Sequence, residues 1–267
     1  MLPCTETSNV PGLNRGLQLA VPSHRRELQT AVSTSAGLTS ALADTAVSRI
    51  VLASGTYNLI AELSITRSVI LEAAAGATVT LNAQASSTSR RRVVNINPGS
   101  SGVVQLIGLG ITGGYYDVVR AHVQKFPSPR DLQCFHRPHG RLSLARCLQG
   151  GGVFVNGGTV TLSSCTISGN TADLGGGVYV NGGSVKFDSC TISGNTGTGG
   201  GVYVYSGMVA ITSSSIYGNT AGYVRADGGG VYVERGTVAI SSSTISGNTA
   251  TYVKAFLSHR PWIALLL

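Results

Sequence analysis

Four glycine triplets, beginning at Gly150, Gly175, Gly199 and Gly228, advance in step with four Gly-Asn-Thr turns at Asn170, Asn195, Asn219 and Asn248. A period held in common by two markers, here roughly 24 to 29 residues, is the signature of a solenoid, in which each repeat buries its apolar face only against its neighbours. Within one period lie three short runs of alternating character: Val153-Phe154-Val155, Thr159-Val160-Thr161-Leu162 and Thr166-Ile167-Ser168. Alternation with period two, in Val, Ile, Tyr and Thr, specifies strands. Glycine, serine and asparagine fill the turns between them.

Three strands per repeat of about 24 residues describe a three-sided coil, and stacked coils lie about 4.8 Å apart, the spacing of hydrogen-bonded strands. Equivalent residues then form columns. Val153, Val178, Val202 and Val231 make one inward column, and Ile167, Ile192, Ile216 and Ile245 another. Asn170, Asn195, Asn219 and Asn248 stack at a corner, where an amide ladder satisfies turn backbone groups. The expectation is an all-β, right-handed parallel β-helix of about six coils. A leucine-rich repeat has a similar period but needs more leucine and a helical return, and the Gly-Gly-x-Gly-x-Asp unit of a calcium β-roll never recurs.

The strings Cys165-Thr-Ile-Ser-Gly-Asn-Thr171 and Gly175-Gly-Gly-Val-Tyr-Val180 resemble the extracellular repeats of polymorphic outer-membrane proteins. More broadly they resemble the right-handed, pectin-lyase-like β-helix superfamily. The resemblance covers about 50–114 and 150–250. It implies the fold and an extracellular or cell-surface setting. It leaves function open, because that superfamily includes lyases, hydrolases, adhesins and inert spacers.

The chain divides into an N-terminal segment and cap at 1–48, first coils at 49–114, a non-repeat insertion at 115–149, regular coils at 150–250 and a non-repeat tail at 251–267. Leu28, Val32, Leu38, Leu42 and Val47 fall in a weak helical pattern that suits a cap. Leu109-Gly-Ile-Thr-Gly-Gly114 matches Cys165-Thr-Ile-Ser-Gly-Asn170 position for position, and joining Gly114 to Gly150 restores a coil turn. Similar stretches, Val118–Ala121, Tyr223–Ala226 and Tyr252–Ala255, follow the same corner three times. Only the middle one leads back into the repeat, so 122–149 and 256–267 read as foreign to it. Residues 1–30 have no secretory apolar region, and the apolar run Trp262–Leu267 is too short to span a bilayer.

The formal charge of +8 suggests nucleic acid until it is located. Residues 115–149 hold six basic residues against two acidic, whereas 150–249 hold three basic and four acidic. The coils therefore offer no basic stripe, and nucleic-acid binding is disfavoured. Arg90, Arg91 and Arg92 read as a solvated turn.

Phe154, Tyr179, Tyr203 and Tyr232 form an aromatic column. Each is flanked by inward valines, so the rings face outward, either as a glycan-binding platform or as a stack stabilising the coils. Thr166/Ser168, Thr191/Ser193, Ser215/Tyr217 and Thr244/Ser246 are outward pairs on another face, a hydroxyl array of a kind that can order water or bind ice. Cys165 and Cys190 share a column with Ser214 and Ser243, read as free thiols in a small-residue ladder. Cys134, His136, His139 and Cys147 are close enough for zinc, but C-x-H-x2-H-x7-C fits no usual structural zinc pattern, and no metal site is assigned.

Catalysis would need clustered carboxylates. The regular coils carry Asp173, Asp188, Asp227 and Glu234. Asp173 and Asp227 share a corner two coils apart, and Lys186 beside Asp188 reads as a solvated pair. No catalytic residue or cofactor is assigned. The expectation is a non-enzymatic extracellular or cell-surface solenoid of structural, adhesive or glycan-binding type, its contact surface the Phe154–Tyr232 column and its partner a polysaccharide or surface glycan. The alternatives are a polysaccharide lyase or hydrolase and an ice-binding solenoid.

Overall fold

The computed structural model describes residues 28–117, 149–222 and 228–250, and the backbone of the strand Ile263–Leu265. Its strands form three parallel sheets, of thirteen, seven and five strands, so the chain is a three-sided parallel β-helix. Every strand pair in it is parallel, and successive coils stack in register: Val153 on Val178 on Val202 on Val231, and Ile167 on Ile192 on Ile216 on Ile245.

The first sheet carries two runs per coil, such as Val202–Val204 and Met208–Thr212; in Val153–Ser163 and Val178–Asp188 the two runs fuse into one strand. The second sheet collects the Thr-Ile-Ser runs, beginning at Gly55–Asn58 and ending at Thr244–Ser246. The third is short and runs from Tyr115–Tyr116 to Thr249–Ala250. The core is the set of inward columns, with Val153, Val178, Val202, Ile167, Ile192 and Ile216 fully buried. The last coil, its following coil incomplete among the described residues, leaves Ile245 42% exposed.

The glycine triplets are required by the closeness of the coils. A Cβ on Gly177 would lie 2.5 Å from the Gly201 carbonyl oxygen, and one on Gly152 2.6 Å from that of Gly177. At two corners a residue in the left-handed region reverses the chain. One corner uses Gly169, Gly194, Gly218 and Gly247, at φ of 59–65°. The other uses Ser164, Ser189, Ser213 and Ser242, at 49–56°.

The next residue at each corner then has a backbone N–H that meets a side chain of the following coil. Asn170 N–H donates to Asn195 Oδ1, Asn195 N–H to Asn219 Oδ1 and Asn219 N–H to Asn248 Oδ1, at 3.0–3.1 Å. The Asn side-chain amides donate in turn to carbonyls of the preceding coil, Asn195 Nδ2 to Ile167 O and Asn219 Nδ2 to Ile192 O. Asn170, Asn195 and Asn219 are fully buried with every such group satisfied.

The coils begin earlier than the residue pattern suggests. Leu28–Val32 is a strand paired with Val47–Leu52. Between them runs the helix Ser35–Ala43, capped by the Thr34 hydroxyl, which accepts from Gly37 N–H, with Leu38 and Ala41 buried. The Arg67 guanidinium closes the other end of the helix, donating to the carbonyls of Ala41, Leu42, Asp44 and Val47.

Tyr115 and Tyr116 pair with Thr171 and Ala172 and so belong to a coil, although the broken period groups them with the insertion. Ile263–Leu265 pairs with Val238–Ile240, one coil earlier, so coil register reappears within the stretch read as a non-repeat tail. That stretch lacks both the glycine triplet and the Asn turn, which is why periodicity does not find it.

Candidate functional site

The aromatic column forms as the register requires. Phe154 and Tyr179 stack with ring centroids 5.6 Å apart and planes 8° from parallel; Tyr179 and Tyr203 follow at 5.1 Å and 13°, and Tyr203 and Tyr232 at 4.9 Å and 34°. Val153 and Val155 flank Phe154 on the inward side, so the rings do point away from the core.

The expectation that the rings present an exposed platform is corrected. Tyr179 is 1% exposed and Tyr203 5%; only Phe154 and Tyr232, at the ends, are half-buried. Coils about 4.8 Å apart hide both faces of every inner ring, and Glu234 covers the Tyr203 hydroxyl. At one end the Arg92 guanidinium lies 4.2 Å from the Tyr116 ring centroid and 4.6 Å from that of Phe154. At the other, Tyr203 Oη donates to Glu234 Oε2. Burial pushes both inner phenols well above their ordinary pKa, and the negative Glu234 adds to the effect.

Arg92 also corrects the solvated-turn reading of 90–92, which only Arg90, exposed, still fits. Its side chain is 14% exposed, pairs with Glu62 at 3.3 Å and donates from Nε to Gln149 O. Arg91 donates to the Ile60 carbonyl. The Arg92 contacts with Tyr116 on one side and with Gln149 and Phe154 on the other hold adjacent coils together across the sequence gap between Asp117 and Gln149.

Three of the carboxylates in the described coils, Glu72, Glu62 and Asp188, are engaged structurally. Glu72 makes a bidentate pair with Arg49, at 2.7 and 2.8 Å. Glu62 takes Arg92 and Asn95. Asp188 takes Lys186 at 3.2 Å on an open face, as the solvated-pair reading has it. Asp227 lies outside the described residues, so its pairing with Asp173 is not part of this geometry.

The structure does bring together two acids that lie far apart in the sequence. Tyr116 stands opposite Ala172, so Asp117 and Asp173, which follow them, fall at equivalent positions of adjacent coils. They are 3% and 6% exposed. The insertion hides this relation, because it separates the pair by more than two periods.

The hydroxyl array is present, with Thr166, Thr191, Ser215 and Thr244 in register, but it is not continuous. Tyr217 stands out of it, 45% exposed. Gly110 falls opposite Thr166 and opens a shallow depression of about 380 Å³, edged by Thr80, Thr112, Thr166 and Ser168. Cys165 and Cys190 are free and buried. Cys134, His136, His139 and Cys147 lie outside the described residues, and among the described residues no group of three or more potential metal ligands occurs. No described helix is long and apolar enough to cross a membrane.

Residues 145–260 match the family model described as the right-handed β-helix region. With the three parallel sheets, the match makes the fold a right-handed, pectin-lyase-like β-helix. No curated protein matches the chain.

Proposed function

We propose that this chain is a non-catalytic β-solenoid that acts outside the cell or at its surface, as a structural or adhesive element with a capacity to contact glycans. The observation that carries this reading is the use made of its polar side chains. Glu62, Glu72, Asp188 and Glu234 each hold a neighbouring side chain, the asparagines hold the turns, and the aromatic column stacks on itself. The outward faces that remain are largely threonine and serine. The cell-surface setting rests on the resemblance to polymorphic outer-membrane-protein repeats.

Incubation with polyuronates and neutral polysaccharides, with and without calcium, tests it. The expected result is retention without turnover, lost when Phe154 and Tyr232, the half-buried ends of the column, are both changed to Ala. Unsaturated products or new reducing ends would overturn it.

One observation favours the second reading, a carbohydrate-active enzyme. Adjacent coils carry Asp117 and Asp173 at equivalent positions, and a pair of neighbouring carboxyl groups is what retaining glycosidases use. Turnover that disappears in both Asp117→Asn and Asp173→Asn would establish that reading over the first.

A further inference from the structure

The two runs of the first sheet meet at a turn written alike in adjacent coils, Val155-Asn-Gly-Gly158 and Val180-Asn-Gly-Gly183. These turns hold the two Asn-Gly dipeptides of the chain. The ladder slips where they stack. Asn156 stands opposite Gly182 with register shifts on both sides, and Gly157 has no register partner in either neighbouring coil.

An asparagine followed by glycine holds an electrophile and a nucleophile within reach of each other. The backbone nitrogen of the next residue can close on the side-chain carbon Cγ, and glycine, lacking Cβ, hinders that approach least. The asparagines of the corner ladder are kept from this chemistry. Asn170, Asn195 and Asn219 are fully buried and each precedes a β-branched threonine, and the amides of Asn195 and Asn219 are tied to Ile167 O and Ile192 O.

The two turns are alike in sequence and unlike in surroundings. Asn181 Nδ2 donates to Asn156 Oδ1 at 2.7 Å. A donor on that oxygen polarises the Asn156 amide and stabilises the oxyanion that forms when Cγ is attacked. Asn156 is exposed, and a Cβ built on Gly157 would meet nothing within 4 Å. Asn181 is half-buried. Its backbone carbonyl belongs to the peptide that would supply the Gly182 nitrogen, and it is held by Ser206 Oγ, which donates to it at 2.5 Å.

We propose that Asn156 is a site of self-modification, converted to aspartate and isoaspartate through a cyclic imide, with Asn181 Nδ2 as the oxyanion donor. The Gly157 nitrogen bonds to Asn156 Cγ and gives its proton to solvent. The Cγ–Nδ2 bond breaks, and Nδ2 takes a proton from solvent and leaves as ammonia. Water then opens the imide. Attack at Cγ leaves aspartate; attack at the backbone carbonyl leaves isoaspartate, with a methylene added to the main chain where the ladder already slips. Water is consumed, ammonia is released, no electron is transferred, and the new carboxyl group is negatively charged.

The test ages the full chain in mildly alkaline buffer, native and in denaturant, and follows both dipeptides by peptide mapping with fragmentation that separates aspartate from isoaspartate. In the native chain Asn156 is expected to convert ahead of Asn181. In denaturant the two are expected to convert at equal rates, because the Val-Asn-Gly-Gly context is shared and only the fold distinguishes them. Asn181→Ala is expected to keep the β-sheet circular dichroism and to slow conversion at 156 about three- to tenfold, the worth of one hydrogen bond. Native conversion of Asn181 as fast as that of Asn156 would overturn the proposal, and this comparison needs no variant. So would an Asn156 that stays intact in the native chain while the denatured chain converts, or a folded Asn181→Ala that converts at the parent's rate.

Discussion

Asn195 shows how much of this fold rests on single polar side chains. It accepts from Asn170 N–H and Nδ2, donates to Ile167 O and Asn219 Oδ1, and is fully buried. Asn195→Ala leaves several of these groups without partners, and each buried orphan costs about 1–3 kcal/mol. Denaturant unfolding is expected to show a loss of about 3 kcal/mol or more, whereas Asn181→Ala, which removes only the Asn181–Asn156 pair on the outer face, should stay within about 0.5 kcal/mol of the parent. Tyr179 and Tyr203 give the fold an alkaline limit. Their pKa values are raised in the folded state, so their contribution is complete below the unfolded-state value of about 10 and is lost as pH rises above it. Each tyrosine then costs about 1.4 kcal/mol per pH unit, and Tyr179→Phe should reduce the slope of stability against pH above 10 by about that amount.

At the level of the coil, glycines that look alike in sequence have unlike duties. Gly177 and Gly182 belong to the same repeat. A Cβ on Gly177 meets the Gly201 carbonyl oxygen at 2.5 Å, while one on Gly182 meets only Ser206 Oγ at 3.5 Å. Gly177→Ala should therefore push adjacent coils apart, at a cost of about 1–3 kcal/mol or more, and Gly182→Ala should be close to neutral. Thermal melting of the two variants side by side checks this. The triplet itself was plain in the sequence, and so was the asparagine column. The burial of the aromatic column was not. Alternation shows which side a residue leaves from, but the cover that stacked rings give one another depends on the coil spacing and on how flat the rings lie.

From end to end the described chain is one stack, interrupted at one kind of place. Thr171 pairs with Thr196, a single period on, whereas Tyr115 pairs with Thr171 across more than two periods. Deleting 118–148 makes the interval from Tyr115 to Thr171 equal to that from Thr171 to Thr196. The joined chain is expected to keep the β-sheet circular dichroism and a cooperative melt within a few degrees of the parent. A collapse of the transition would mean that the deleted segment is needed to hold the first coils on the later ones. The interval from Thr220 to Thr249 is also longer than that from Thr196 to Thr220, and its extra length falls at the same corner, between Gly222 and Gly228.

The architecture was legible in the residues alone, because a solenoid repeats each contact at a fixed interval. A steady period combined with alternation leaves one economical way to bury valine and isoleucine, and it also specifies which columns face inward. What lies opposite what across the breaks in that period emerged only in three dimensions. Asp117 meets Asp173, Arg92 meets both Tyr116 and Phe154, and Ile263–Leu265 joins Val238–Ile240. Those relations depend on where the chain re-enters the stack, which periodicity cannot encode once the repeat is interrupted.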